Sequence, residues 1–117
     1  MNYLFLWYPK CSTCQKVKQW LDDHNIEYDL RDIKLQNPTL AELTEWYRQS
    51  GLPLKRFFNT SGLVYKDLGL AAKLPTMGEA EQLALIATDG MLVKRPLLIG
   101  GGKVLVGFKK NEWSVLL

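Results

Sequence analysis

Two cysteines and one histidine are all the soft metal ligands that 117 residues offer, and that scarcity excludes the usual structural zinc site, which takes four ligands. The cysteines are Cys11 and Cys14. His24 stands well beyond Cys14 on the same expected helix, roughly 15 Å away at the helical rise, so no metal is expected. Two cysteines this close in sequence cannot staple distant parts of a fold as the bridges of small secreted domains do. Long hydrophobic runs are missing as well. The apolar opening Tyr3-Leu4-Phe5-Leu6-Trp7-Tyr8 is too short for a membrane span and lacks the basic start of a secretion signal, so the chain reads as cytoplasmic with no membrane association. Nor is there a block of one charge: 15 Lys and Arg oppose 12 Asp and Glu, for a net charge of +3, with the basic residues spread along the chain. Direct nucleic-acid binding is therefore not expected.

What is present has the make-up of an ordinary globular protein, 47% hydrophobic and 23% charged, and the expectation is a single domain over residues 1–117. Residues 3–8 suit a strand buried on both faces. From Ser12 to Asp23, Val17, Trp20 and Leu21 fall at helical spacing, with His24-Asn25 at the end. Ile26, Tyr28 and Leu30 alternate with Glu27, Asp29 and Arg31, which predicts a half-buried strand parallel to the first. Thr39-x-x-Glu42 is a capping box that opens a helix carrying Leu40, Leu43, Trp46 and Tyr47, with Gly51 and Pro53 as the stop. Short helical pieces are expected between Pro53 and Leu74, one with Leu54, Phe57 and Phe58 and another with Tyr65, Leu68 and Leu70. Thr76-x-x-Glu79 reads as a second capping box, before a helix with Leu83, Ile86 and Ala87 that ends at Asp89-Gly90. Two apolar runs around Gly100-Gly101-Gly102 predict a hairpin, and a short helix over Glu112 to Leu117 closes the chain. The expected fold is α/β: a thioredoxin-like, mixed four-stranded sheet with helices on both faces and a helical insertion over approximately residues 38–90.

The chemistry lies in Cys11-Ser12-Thr13-Cys14. Cysteines at i and i+3 on a first helical turn share a side and can form a disulfide. Cys11, at or just before that turn, meets unpaired backbone N–H groups and the positive end of the helix dipole. Such positions commonly bring a thiol from about 8.5 to about 7 or below, so Cys11 is the expected nucleophile. Cys14, one turn deeper, is the expected resolving cysteine. Two unreactive buried thiols are the bland alternative. Lys10, Ser12 and Thr13 are supporting positions; Lys10 either adds positive potential or is simply solvated. Far along the chain, Arg95-Pro96 starts a strand, and Pro96 there suits either a cis peptide bond or an ordinary trans edge proline.

With Trp7-Tyr8-Pro9-Lys10-Cys11-Ser12-Thr13-Cys14, Arg95-Pro96-Leu97 and Val106-Gly107-Phe108 in order, the chain resembles the ArsC/Spx family of arsenate-reductase-like proteins over nearly its full length. It looks nearest to the ArsC-like, Spx and MgsR branch of Gram-positive bacteria through the stretches 57–62 and 89–96. The resemblance implies a thioredoxin-like core whose cis-proline loop faces the active cysteine. It also implies an oxyanion site in which Cys11, Arg56 and Arg95 match, arginine being suited because its planar fork binds an oxyanion in two places. The family's third arginine would fall near Val106-Gly107-Phe108, where this chain has none, and Cys14 stands where those reductases need no partner. Both departures argue against arsenate. The implied activity is a thiol–disulfide oxidoreductase acting on a thiol-bearing protein or a small oxyanion. It would need no cofactor beyond a thiol reductant such as glutaredoxin, thioredoxin or a low-molecular-weight thiol. The alternative the resemblance implies is a redox-switched regulator that binds the RNA polymerase alpha subunit, with Gly51 near that contact; a glycine after a capped helix is equally ordinary C-cap chemistry.

Overall fold

The computed structural model describes residues 3–117. β1 (Tyr3–Trp7) is a central strand of a four-stranded sheet in the order β2-β1-β3-β4. It pairs in parallel with β2 (Tyr28–Asp32), from Tyr3 opposite Tyr28 to Trp7 opposite Asp32. On its other side it pairs antiparallel with β3 (Leu97–Gly100), Leu6 facing Leu97. β3 turns through Gly101 and Gly102 into β4 (Lys103–Val106). Both turn glycines have positive φ, 58° and 75°, the backbone that a tight two-residue hairpin demands and that glycine adopts without steric cost.

Successive strand residues point to opposite faces, and the core divides accordingly. Phe5, Leu98 and Leu105 pack with Val17 and Leu21 of α1 (Ser12–Asp23) and with Trp113 of α6 (Lys110–Trp113). Leu6, Leu97, Val104 and Val106 face the other way, onto Leu43 and Trp46 of α2 (Leu40–Ser50) and Leu83 and Ile86 of α5 (Glu79–Ile86). Phe5 and Leu6 are both fully buried, which explains why β1 reads as a continuous apolar run. The expected mixed sheet with helices on both faces is the fold observed.

Between β2 and β3 the chain is helical. Thr39 caps α2 as expected: its side chain accepts from the Glu42 N–H at 3.1 Å, and Glu42 accepts from the Thr39 N–H at 3.0 Å. Gly51 ends the helix in the left-handed region at φ 66°. A 3-10 turn over Leu54–Phe57 and two short helices, α3 (Leu63–Asp67) and α4 (Leu70–Lys73), follow.

Several expectations need correction. The cap of α5 is Gly78, not Thr76: Glu81 accepts from the Gly78 N–H at 3.3 Å, while the Thr76 hydroxyl donates to Lys73 O inside a preceding 3-10 turn. The same helix ends at Ile86, and Asp89 caps a separate turn over Gly90–Leu92. Leu30, Leu40 and Leu68, expected inward, are exposed. Leu30 lies on the edge strand, beyond the apolar cluster around α1, and Arg31, expected in water, pairs with Glu42 at 2.8 Å. The closing helix begins at Lys110, before Glu112.

Candidate active site

The route from β1 into α1 sets the position of the two cysteines. The Cys11 N–H donates to Tyr8 O at 2.9 Å, and the Gln15 side chain donates to Pro9 O at 2.7 Å, fastening the intervening loop. Cys11 is the N-cap residue with extended backbone, and Cys14 lies in the first turn of the helix. No acidic residue occupies that first turn, so nothing offsets the positive helix end next to the Cys11 sulfur. Both cysteines are free thiols, Cys11 partly exposed and Cys14 fully buried.

Their environments drive them apart. Burial alone would push the Cys11 thiol up, but the Cys14 N–H, the Cys14 thiol and the Arg95 guanidinium together outweigh it and hold Cys11 below the ordinary thiol value. Cys14 is pushed up to about 12, by burial first and then by the neighbouring Cys11. One sulfur is therefore prepared to be a thiolate and the other to stay protonated.

The Arg95–Pro96 peptide bond is cis. The Arg95 guanidinium lies 5.0 Å from the centre of the Tyr8 ring, and its Nε and Nη1 atoms are buried without a hydrogen-bond partner. Arg56 is held differently. Its Nη1 and Nη2 donate to the Glu112 carboxylate, each at 3.2 Å, and Nη2 also donates to Val106 O at 3.1 Å.

Cys11, Thr13, Arg56 and Arg95 line one pocket of about 730 Å³. Lys55, Lys94 and Lys109 add positive charge to its wall, and the Asn59–Ser61 loop borders it. Gly107 takes a positive φ, and a Cβ there would meet Lys94 Cε at 2.8 Å, so the glycine makes room for the lysine stem. Near the place where a third arginine would fall, the pocket thus has lysines. Lys10 and Ser12 are exposed and do not line the pocket, whereas Pro96 is buried beside Arg95. Gly51 is exposed at the end of α2, outside the pocket. His24 Nδ1 bonds to Trp20 O at 2.8 Å, and among the described residues no cluster of three or more His, Cys, Asp or Glu could hold a metal.

Tyr8, Lys55, Lys94, Lys109 and Glu112 were not singled out in the sequence. Tyr8 and Lys94 stand in the quoted stretches 7–14 and 89–96, with no role assigned to either. A lone lysine or glutamate in sequence announces a solvated face.

The ArsC family model matches residues 6–116. The uncharacterized protein YusI of Bacillus subtilis is 52% identical over 97% of each chain. The regulatory protein MgsR of the same organism is 30% identical over 92% of this chain and 84% of its own. Among solved structures, a protein from Bacteroides fragilis described as ArsC family related superposes with a TM-score of 0.97 at 61% identity, covering 100% of this chain and 98% of the other. A possible arsenate reductase from Streptococcus mutans gives 0.90 at 44% identity over 98% of each. Among the described residues, no helix is long and apolar enough to cross a membrane.

Proposed function

The chain belongs to the ArsC family, and from that premise we propose that it is a thiol–disulfide oxidoreductase in which Cys11 attacks and Cys14 resolves. The observation that carries this reading is the opposite tuning of two thiols on one helical turn, with an arginine beside the first. The Cys11 thiolate attacks one sulfur of a substrate disulfide, the S–S bond breaks, and the other sulfur leaves as a thiolate that takes up a proton. Cys11 no longer carries charge in this mixed disulfide, which removes one of the causes holding Cys14 up. Cys14 then attacks Cys11 Sγ, the bond from Cys11 to the substrate breaks, and the Cys14 proton goes to the departing sulfur, releasing the second substrate thiol and leaving a Cys11–Cys14 disulfide. Two electrons from a cellular thiol reductant restore the pair.

The pocket's positive wall suits an anionic or thiolate-bearing substrate, and in this reading Arg95, which lines the pocket beside Cys11, holds its charge. The test is a redox titration of the Cys11–Cys14 pair against glutathione, read by thiol alkylation. A reversible two-electron transition supports the reading, and a pair that never oxidises while Cys11 reacts no faster than free cysteine overturns it.

A second reading follows from the similarity to MgsR, a regulatory protein. In it, the Cys11–Cys14 pair switches a surface that docks on the RNA polymerase alpha subunit, with Gly51 at the exposed end of α2. Retention of the alpha C-terminal domain by the immobilised chain, changed by dithiothreitol, favours this reading. Absence of retention in both redox states removes it.

A further inference from the structure

Two arginines share the Cys11 pocket, and one of them already has an anion. A carboxylate gripping a guanidinium through two bonds uses the same donors that a substrate oxyanion would use. Glu112 does this to Arg56, with both contacts at 3.2 Å, while Arg95 keeps two buried nitrogens without a partner. From this asymmetry we infer that Glu112 is a specificity-determining residue: it stands in for a substrate oxyanion on Arg56 and prevents the pocket from closing both arginines around a small dianion. The inference rests on the reading of this pocket as the reaction site.

The helix that carries the carboxylate, α6, is anchored. Trp113 is fully buried, its indole N–H donates to Gly107 O at 3.0 Å, and the Glu112 N–H donates to Lys109 O at 2.9 Å. Arg56 is held from its other side by Val106 O. A compact dianion between the arginines must either displace the Glu112 carboxylate from Arg56 or sit against a like charge. A larger substrate that presents one anionic group to Arg95 and leans on the lysine rim avoids the Glu112 carboxylate. Glu112 therefore leaves the pocket positive overall and acts on the size and charge of the anion accepted.

Inorganic sulfate at constant ionic strength, titrated calorimetrically into the reduced protein, is the probe. Glu112→Gln keeps the side-chain shape and removes the charge, and it should bind sulfate about tenfold more tightly than the unaltered chain, one charge-assisted contact being worth at least that factor. Adding Arg56→Gln to that variant should return the affinity to the original level. The 1H–15N NMR resonance of the Trp113 indole N–H, bonded to Gly107 O, reports whether α6 stays packed, and Glu112→Ala provides a second variant judged by the same comparison. Sulfate binding that is unchanged in a variant with Trp113 packed, or a gain that survives Arg56→Gln, overturns the inference. The same difference is expected in a Cys11→Ser background, where no thiol chemistry occurs, so a failure of the redox reading and a failure of this one are told apart.

Discussion

Cys11 and Cys14 start from the same ordinary thiol value, and their surroundings move them in opposite directions. For reactivity, the midpoint of Cys11 alkylation by iodoacetamide against pH should lie below that of free cysteine. Arg95→Leu should move it upward by removing a neighbouring positive charge, while Lys10→Ala, altering an exposed residue outside the pocket, should leave it within a few tenths of a unit. For stability the signs differ between the two thiols. The Cys14 value is raised in the folded state, so its contribution is fully present below the ordinary thiol value and is lost as pH climbs toward about 12. Urea unfolding of the reduced protein should show stability falling over that window, with a shallower fall in Cys14→Ala. Cys11 is lowered instead, so its contribution is present above the ordinary thiol value and disappears as pH drops through the folded-state value. Cys11→Ala should flatten that lower limb alone.

Helix ends show how local rules hold or fail. Thr39-x-x-Glu42 and Thr76-x-x-Glu79 are the same pattern, yet only the first forms a capping box. Capping requires extended backbone at the threonine. Thr39 has it, at φ −77° and ψ 163°, whereas Thr76 is already inside the 3-10 turn over Leu74–Thr76 that includes Pro75, and the extended residues come later, at Met77 and Gly78. Thr39→Ala should therefore cost about 1 kcal/mol in chemical denaturation, and Thr76→Ala should stay within about 0.5 kcal/mol. Gly51 is a similar case at a C-terminus. A Cβ there would meet nothing within 4 Å, so Gly51→Ala should lose only the cost of a left-handed backbone, about 1 kcal/mol. A larger effect of that variant on polymerase binding than on stability would support the regulatory reading.

Across the whole molecule, the sheet separates two apolar layers, and the site lies where elements distant in sequence converge. Trp113 connects these features: it closes the layer over α1, packs edge-on to Trp20 and Phe108, and fixes the helix that presents Glu112. Trp113→Ala should cost about 3–5 kcal/mol and loosen the Arg56 clamp at the same time. Calorimetric unfolding and the sulfate titration measure the two effects separately. Gly90 is the other tight point. A Cβ there would fall 1.8 Å from Ile33 O, so Gly90→Ala should destabilise by about 3 kcal/mol through overpacking, although in the sequence Asp89-Gly90 looked like a simple helix stop.

Features governed by neighbours a few residues apart were legible in the sequence alone: the buried first strand, the α1 stripe of Val17 and Leu21, the Thr39 cap, the glycine hairpin, and a cysteine pair at a strand-to-helix junction. Hydrogen-bond ladders and side-chain periodicity act over that range, so composition and spacing suffice to specify them. Only the tertiary structure decided which residues surround Cys11. Arg95 and Lys94 arrive at the pocket from the loop before β3, Lys109 from the loop after β4, and Glu112 reaches Arg56 across 56 positions of sequence. It likewise decided that Leu30 faces water and Arg31 finds Glu42. Those outcomes depend on where the chain's path brings each side chain, and a charge left solvated in one path becomes a partner or a counter-ion in another.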